Sequence, residues 1–155
     1  MPTVWRLVKT KYSRSAFDGE GSRLYGGRWS SPGTVVAYAS ESSALAVLEV
    51  LVHLQNSTVL QSYSLASADV PDELVEVLAA KRLPADWRRS PPPGEVQEVG
   101  DAWAREGRSA ALRVPSVILG YSYNYLLNPA HPSFARIRIR DPRPFDFDPR
   151  LAGPK

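Results

Sequence analysis

Residues 25–54 have the sequence YGGRWSSPGTVVAYASESSALAVLEVLVHL, and this stretch is the most informative about the fold class. A Gly-Gly pair lies near its start, and the β-branched and aromatic run Thr34–Ala39 is typical of a strand. The apolar run Ser42–Leu54 has the length and composition of a helix, with Ser40 or Ser42 as its N-cap. A strand followed directly by a helix predicts a fold in which the two kinds of element are mixed along the chain.

The rest of the chain shows the same mixture, with no internal repeat and no domain boundary. We therefore expect a single compact domain over residues 1–155, of the α+β (mixed α/β) class. Residues 83–94 are rich in proline and contain Trp87, which predicts an ordered surface loop. The other predicted strands are Val4–Val8, Thr58–Leu65, Ala110–Val114 and Phe134–Arg140, and the other predicted helices are Asp72–Ala80 and Glu95–Glu106.

The composition excludes several classes of protein. The 155 residues include no cysteine, which excludes disulfides, a thiolate nucleophile and cysteine-based metal sites. His53 and His131 lack the spacing of a metal motif, so we predict no metal site. Met1–Thr10 contains no apolar core of signal-peptide length, and no run approaches 18 apolar residues, so we expect a soluble cytoplasmic protein without a membrane association. The net charge of +3 is spread along the sequence, which suits an anionic small molecule or an acidic protein.

Glu49 is the acidic residue in the middle of the apolar helix Ser42–Leu54, which we expect to be buried all round. An unpaired carboxylate in such a place costs several kcal/mol. One explanation is a pair with His53, four residues further on and on the same helix face. The other is that Glu49 points into a cleft and has a chemical role, and this is the interpretation we favour.

Two further segments contain residues suited to binding. Gly26 and Gly27 allow a ligand to approach the backbone closely, and Arg28 has the geometry to clamp a phosphate, although a tight turn with a surface arginine explains the same pattern. Ser116 follows a proline at the edge of an apolar run, where its hydroxyl either bonds a ligand or caps a turn. Neither a nucleophilic serine motif nor a complete dinucleotide fingerprint is present, since Leu24 replaces the third glycine of that fingerprint.

A basic row is predicted on one face of the last strand. Arg136, Arg138 and Arg140 alternate there with Ile137 and Ile139, and we interpret them as a solvated face. The competing interpretation, to which Arg143 also contributes, is a non-enzymatic module that binds nucleic acid.

In combination, these segments resemble the RES domain family, which is named for an arginine, a glutamate and a serine. The match runs over nearly the whole chain, and on it the three residues are Arg28, Glu49 and Ser116. Its motifs are Trp5-Arg6-Leu7, Gly27-Arg28-Trp29, Ser31-Pro32-Gly33, Tyr38-Ala39-Ser40, Leu48-Glu49, Val52-His53-Leu54, Leu83-Pro84, Trp87-Arg88, Gly100-Asp101-Ala102-Trp103, Val114-Pro115-Ser116, Asn124-Tyr125-Leu126 and Asn128-Pro129-Ala130-His131-Pro132.

The resemblance implies a fold similar to that of ADP-ribosyltransferase toxins, and consumption of NAD as a substrate with no prosthetic group. Family members resemble NAD phosphorylases or glycohydrolases, and some ADP-ribosylate a protein. The family site implies NAD contacts from Gly27, Arg28, Tyr38, Ser116 and Asn124. It further implies a Xre-type helix-turn-helix antitoxin as partner and a homodimer within the complex. Direct contact of this chain with nucleic acid is not expected, because its positive charge is spread along the sequence.

This chain departs from the family pattern at two places. Ser30 stands where asparagine is usual after Gly-Arg-Trp, and Gly120-Tyr121-Ser122 lacks the acidic residue that often precedes Asn124. Both departures concern contacts to the ribose and the nicotinamide.

Overall fold

A computed structural model describes residues 1–54 and 62–152. These residues form eight strands and three α-helices, and short 3-10 helices lie in several of the connections. In chain order the elements are β1 (Thr3–Lys9), α1 (Glu20–Tyr25), β2 (Ala37–Ser40), α2 (Ser43–Leu51), β3 (Tyr63–Asp69), β4 (Val75–Val77), α3 (Gly94–Glu106), β5 (Ala111–Pro115), β6 (Tyr123–Leu127), β7 (Arg138–Ile139) and β8 (Arg143–Phe145). The predicted mixed α/β fold class is confirmed.

One curled sheet contains all eight strands, in the order β4-β5-β6-β2-β1-β3-β7, with β8 also paired to β3. Only β4 and β5 are parallel. The first strand of the chain therefore lies inside the sheet, where it pairs with β2 on one side and along its full length with β3 on the other. This order places α2, which follows β2, over the strands β1 and β2.

The two faces of the sheet carry separate apolar clusters, as the alternation of side chains along a strand requires. In β6, Tyr125 and Leu127 belong to one cluster, whereas Leu126 belongs to the other. The second cluster contains Trp29 and Trp103, each no more than 2% exposed, and it packs the sheet against α3. The loop that carries Trp29 is therefore held in place by the core.

Several predicted elements are confirmed within a few residues. β1, β5 and α3 match their predictions, and α3 ends where Gly107 adopts a left-handed conformation with φ of 60°. Ser42 is the N-cap of α2, since its Oγ accepts a hydrogen bond from the backbone of Leu45 at 3.1 Å. In the loop 83–94, Trp87 packs on Trp29 with ring centroids 5.9 Å apart.

The expectation that α2 is buried all round is wrong. Only Leu45 and Ala46 are buried in this helix, and Val52 directly after it is 59% exposed. The helix packs on β1 and β2 by the narrow face that carries these two residues. Among its partly buried side chains, Glu49 and Val50 line a cavity instead.

Two predicted elements have a different structure. The predicted helix Asp72–Ala80 is a short 3-10 turn, Asp72–Leu74, followed by β4, because the β-branched residues Val75 and Val77 pair with β5. Within the predicted strand Phe134–Arg140, only Arg138–Ile139 is a strand.

Proline explains the second of these differences. Pro132 and the side chain of His131, whose Nδ1 accepts from the backbone of Ser133 at 3.0 Å, start a 3-10 helix that continues to Arg136. Of the predicted basic row, Arg136 pairs with Glu73 and Arg140 with Asp69.

The remaining differences concern boundaries and omissions. The strand predicted at Thr34–Ala39 is shifted to β2, and the first part of Thr58–Leu65 lies outside the described residues. The prediction missed α1, β6 and β8. No helix in residues 1–54 and 62–152 is both long and apolar enough to cross a membrane.

Candidate active site

Glu49 projects from α2 toward the ends of β5 and β6, where two side chains donate hydrogen bonds to the same carboxylate oxygen. Asn124 Nδ2 donates to Glu49 Oε1 at 2.8 Å, and Ser116 Oγ donates to it at 3.0 Å. The other oxygen, Oε2, has no hydrogen-bond partner among the residues the structure describes. The carboxylate is thus held in one orientation while half of it stays available.

The direction of the Ser116 proton follows from the turn after β5. The Oγ of Ser116 accepts hydrogen bonds from the backbone of Ile118 at 3.1 Å and of Leu119 at 3.2 Å. With these two bonds on the lone pairs, the hydroxyl hydrogen is directed at Glu49. Ser116 is fully buried behind the carboxylate and lines neither of the cavities described below. Its contact is with Glu49 rather than with space that a ligand fills.

Asn124 is oriented by a residue on the neighbouring strand. It lies in β6 directly opposite Ser40 of β2, and the Ser40 hydroxyl donates to Asn124 Oδ1 at 2.7 Å. This hydrogen bond identifies the carbonyl side of the amide, so the NH₂ group is the side that faces Glu49. The carboxylate therefore receives a donor and not a second acceptor.

The Gly-Gly-Arg segment is a tight loop built on Tyr38. The hydroxyl of Tyr38 accepts a hydrogen bond from the backbone of Trp29 at 3.0 Å and shares another with Ser30 Oγ at 2.8 Å. A Cβ atom at Gly27 would lie 2.6 Å from that hydroxyl, so only glycine fits. Burial raises the pKa of Tyr38 to about 12, which keeps the phenol neutral. The ring of Tyr38 forms part of the walls of the two cavities described below.

Helix α3 holds the same loop from the other side. Gln97 Nε2 donates to the carbonyl oxygens of Gly27 at 3.0 Å and Ser30 at 3.3 Å. Asp101 accepts hydrogen bonds from the backbone and the hydroxyl of Ser31. Gly100, between them, approaches the loop so closely that a Cβ atom there would lie 1.8 Å from the carbonyl oxygen of Trp29.

Arg28 joins this loop to the proline-rich loop 83–94. Its Nη1 donates to the carbonyl oxygens of Trp87 at 3.0 Å and Arg89 at 2.9 Å, and its Nη2 donates to Ser90 Oγ at 2.8 Å. A guanidinium has five N–H donors. The Nε–H and one Nη2–H have no acceptor in the described part of the chain, so Arg28 can still receive an anion. Burial lowers the pKa of Arg28, and the negative charge of Glu49 opposes that change.

Two cavities meet at Glu49. The larger, of about 620 Å³, is bordered by Gly27, Arg28, Tyr38, Glu49 and Asn124. The smaller, of about 310 Å³, shares Tyr38, Glu49 and Asn124 with it but not Arg28. The structure therefore brings together all six residues that the sequence singled out, five on the cavity walls and Ser116 behind Glu49.

Arg6 and Ser40 also belong to the site, although sequence reasoning did not assign them a role. Arg6 lies in β1 and lines both cavities, and its Nη1 donates to the carbonyl oxygen of Tyr38 at 2.9 Å. Burial lowers the pKa of Arg6, and its buried Nε has no acceptor among the described residues. The sequence contained a signal for Arg6, because this arginine lies inside the apolar strand Val4–Val8, just as Glu49 lies inside an apolar helix. The role of Ser40 depends on the pairing of β2 with β6, which the sequence does not reveal.

The protein is therefore a mixed α/β protein in which a fixed carboxylate, that of Glu49, lies where two ligand-sized cavities meet. Comparison with known proteins identifies the family, because the sequence profile of the RES domain matches residues 3–148. The chain belongs to the RES domain family.

Two relatives and one solved structure illustrate the likeness. "Toxin Res" of Photorhabdus laumondii subsp. laumondii is 38% identical over 154 residues, which is 98% of this chain and 98% of that protein. "Prs ADP-ribosylating toxin" of a Sphingobium species is 38% identical over 154 residues, or 96% of each protein. The crystal structure of the M. tuberculosis MbcT-MbcA toxin-antitoxin complex has a chain with a TM-score of 0.77 and 23% identity, over 97% of this chain and 86% of that one. This last likeness concerns the fold alone.

Proposed function

We propose that this protein consumes NAD by cleaving the bond between nicotinamide and ribose. The observation that carries the proposal is the Glu49 carboxylate, which Ser116 and Asn124 hold at the junction of the two cavities. In this cleavage the electron pair of the bond leaves with nicotinamide, which becomes neutral, and positive charge develops on the ribose. A preorganised carboxylate beside that ribose lowers the energy of the transition state.

The other residues are assigned by their chemistry. Arg28, with two N–H groups to offer, binds the pyrophosphate, and Gly27 allows the substrate to approach the backbone. The ring of Tyr38 orients the nicotinamide. Asn124 and Ser116 serve as donors to Glu49, and Asn124, which reaches both cavities, can also contact the ribose.

Phosphate or water is the acceptor in our first proposal. One of its oxygen atoms forms the new bond to the ribose carbon, and the acceptor's proton is released to solvent. The second candidate is an acceptor on a protein, which is favoured by the printed name of the Sphingobium relative, an ADP-ribosylating toxin.

We further propose that the protein acts as the toxin of a toxin-antitoxin pair in the cytoplasm. The proposal is supported by the relatives named Toxin Res and by the fold shared with a chain of a toxin-antitoxin complex. The family resemblance extends it to a Xre-type antitoxin as partner and to a homodimer in the complex. Arg136 and Arg140 form ion pairs with acidic residues, so the net positive charge of the basic row is lower than the sequence suggests. This favours the toxin function over direct binding of nucleic acid.

Incubation of the purified protein with labelled NAD, with and without phosphate, tests the proposal. We expect release of nicotinamide, measured by chromatography, and a loss of at least about 100-fold in the Glu49→Gln variant. Glutamine keeps the oxygen that accepts from Ser116 and Asn124 but removes the negative charge. Glu98→Gln is the matched control, because Glu98 pairs with Arg105 on the surface.

The position of the label separates the two candidates. Label in small molecules only indicates phosphorolysis or hydrolysis, whereas label on a polypeptide indicates transfer to protein. NAD that stays intact, or a Glu49→Gln variant as active as the wild type, would contradict the proposal. In cells, we expect expression to arrest growth and Glu49→Gln to relieve the arrest.

A further inference from the structure

Gln97 supports the loop that carries Arg28 with its nitrogen alone, and its oxygen is left for a ligand. Its Nε2 donates to the carbonyl oxygens of Gly27 at 3.0 Å and Ser30 at 3.3 Å. These two carbonyls identify the nitrogen, because the amide oxygen in its place would face two other acceptors. Gln97 Oε1 has no hydrogen-bond partner among the described residues, and Gln97 lines the larger cavity. Gln97 therefore offers a ligand in this cavity an acceptor and no donor.

The walls of the larger cavity provide little positive charge. Among the described residues, Arg6 and Arg28 are the arginines that line it, and no lysine does. Arg6 lines the smaller cavity as well, so it lies at the end that the two cavities share. A pyrophosphate bound by Arg28 uses the one guanidinium that belongs to the larger cavity alone. A further phosphate group on the ligand has no such partner in the described part of the chain.

The position of Gln97 indicates which ribose of a dinucleotide it contacts. NAD has one ribose on each side of its pyrophosphate. Under the proposed function, on which this inference rests, the ribose attached to nicotinamide lies beside Glu49. The ribose of the adenosine half then lies in the larger cavity, on the other side of Arg28. Gln97 fits this place, because it lines the larger cavity and not the smaller one and contacts Gly27, the neighbour of Arg28.

We propose that Gln97 Oε1 accepts a hydrogen bond from the 2′-hydroxyl of the adenosine ribose, and that Gln97 thereby selects NAD over NADP. The two dinucleotides differ at this position, where NADP has a phosphate ester in place of the hydroxyl. A phosphate monoester carries about −1.5 to −2 charges at neutral pH, so it offers acceptor oxygens where the site requires a donor. A site that contains an acceptor and lacks a second cation rejects such a group.

Three ligands that the protein does not need to cleave test this inference: ADP-ribose, its 2′-deoxy form and its 2′-phosphate. Their binding to the wild-type protein is measured by calorimetry. We expect ADP-ribose to bind about five- to tenfold more tightly than the 2′-deoxy form, which is the value of one hydrogen bond. We expect it to bind at least about 30-fold more tightly than the 2′-phosphate.

Two substitutions separate contact with the ligand from support of the loop. Gln97→Met keeps the length of the side chain without its polar atoms, and it is expected to bind ADP-ribose and the 2′-deoxy form equally, within about twofold. Gln97→Lys provides a cation, and it is expected to reduce the preference for ADP-ribose over the 2′-phosphate by about tenfold. Glu98→Gln is the matched control, because it changes the net charge by the same single unit at an exposed position of α3.

The ratios of the three affinities decide the outcome. If Gln97 only supports the loop, its variants weaken all three ligands in parallel and keep the wild-type ratios, and this result overturns the inference. A wild-type protein that binds the 2′-deoxy form as tightly as ADP-ribose, or that binds none of the three ligands, also overturns it. Failure of the proposed function gives a different result, namely NAD that stays intact during incubation with the wild-type protein.

Discussion

Glu49 is the residue on which the chemistry depends, and its surroundings explain how a carboxylate persists in an apolar helix. Burial of an unpaired carboxylate is costly, and hydrogen bonds to the charged form reduce that cost. Asn124 and Ser116 provide two such bonds to one oxygen. The sequence identified Glu49 as an exception in its helix, but it did not reveal the two donors, which come from β6 and from the turn after β5, far away in the chain.

Ser40 is predicted to be a positioning residue that acts through Asn124. In Ser40→Ala the amide of Asn124 loses the hydrogen bond on Oδ1 and is free to present its oxygen to Glu49. We expect kcat for NAD cleavage to fall by about five- to tenfold, the value of one hydrogen bond, while the KM for NAD changes by less than about twofold.

The conservative variant separates positioning from packing. Ser40→Thr keeps the hydroxyl and is expected to recover most of the activity that Ser40→Ala loses. Equal activity in Ser40→Ala and the wild type would refute the role, as would a Ser40→Thr variant no better than Ser40→Ala.

At the scale of elements, α3 supports the Gly-Gly-Arg loop, residues 26–31. Gln97, Gly100 and Asp101 follow the spacing i, i+3, i+4, so they share one face of the helix, and all three meet residues 27–31. The ends of α3 were predictable because Pro93 and Gly107 mark them locally. The loop that packs against this face of α3 was not predictable, because the sheet determines where that loop lies and the loop is remote from α3 in sequence.

Gly100→Ala is predicted to destabilise the protein, although alanine is the better helix former. The new Cβ would meet the carbonyl oxygen of Trp29 at 1.8 Å, so the loop or the helix has to move. We expect a loss of roughly 1–3 kcal/mol in the free energy of unfolding, measured with denaturant, and weaker NAD binding.

Gly94→Ala is the matched control within the same helix. Nothing lies within 4 Å of a Cβ at Gly94. This variant is expected to be neutral or slightly stabilising, since alanine restricts the unfolded chain. A Gly100→Ala protein as stable as Gly94→Ala would contradict the close contact.

At the scale of the whole molecule, strand order brings the site together. β2, β5 and β6 are neighbours, so Ser40, Ser116 and Asn124 meet although Ser40 is distant from the other two in sequence. Local patterns predicted the mixed fold because each strand or helix has its own periodicity. They did not predict that β1 is internal or that β4 runs parallel to β5, since the choice of partner depends on long-range contacts. Only the resemblance to a family connected Arg28, Glu49 and Ser116.

Asp69 links neighbouring strands that are far apart in the chain, and it is predicted to make stability depend on pH. It accepts hydrogen bonds from Thr3 Oγ1 at 2.7 Å and from Arg140 Nε at 2.9 Å. The hydrogen bond from Thr3 has the largest effect and the one from Arg140 the next largest, and both hold the pKa of Asp69 below its ordinary value. The carboxylate therefore stabilises the fold above about pH 4, its pKa when unfolded, and this contribution is lost as the pH falls through the lowered folded value.

Thermal unfolding from pH 7 to pH 2 measures this contribution. We expect Asp69→Asn to lower the unfolding midpoint by about 2–4 °C at neutral pH, and the difference from the wild type to shrink toward pH 2. The exposed Asp141→Asn variant is the control for the loss of one negative charge. A constant difference between Asp69→Asn and the wild type at every pH would refute the prediction.

The anchored guanidinium of Arg28 has a practical consequence for inhibitor chemistry. A side chain already fixed by hydrogen bonds to the loop 83–94 loses little further rotamer freedom when an acidic compound binds. Fragments with a phosphonate or carboxylate have a preorganised attachment point there. Growing such fragments past Glu49, toward the indole of Trp5, is a rational route to a selective chemical probe.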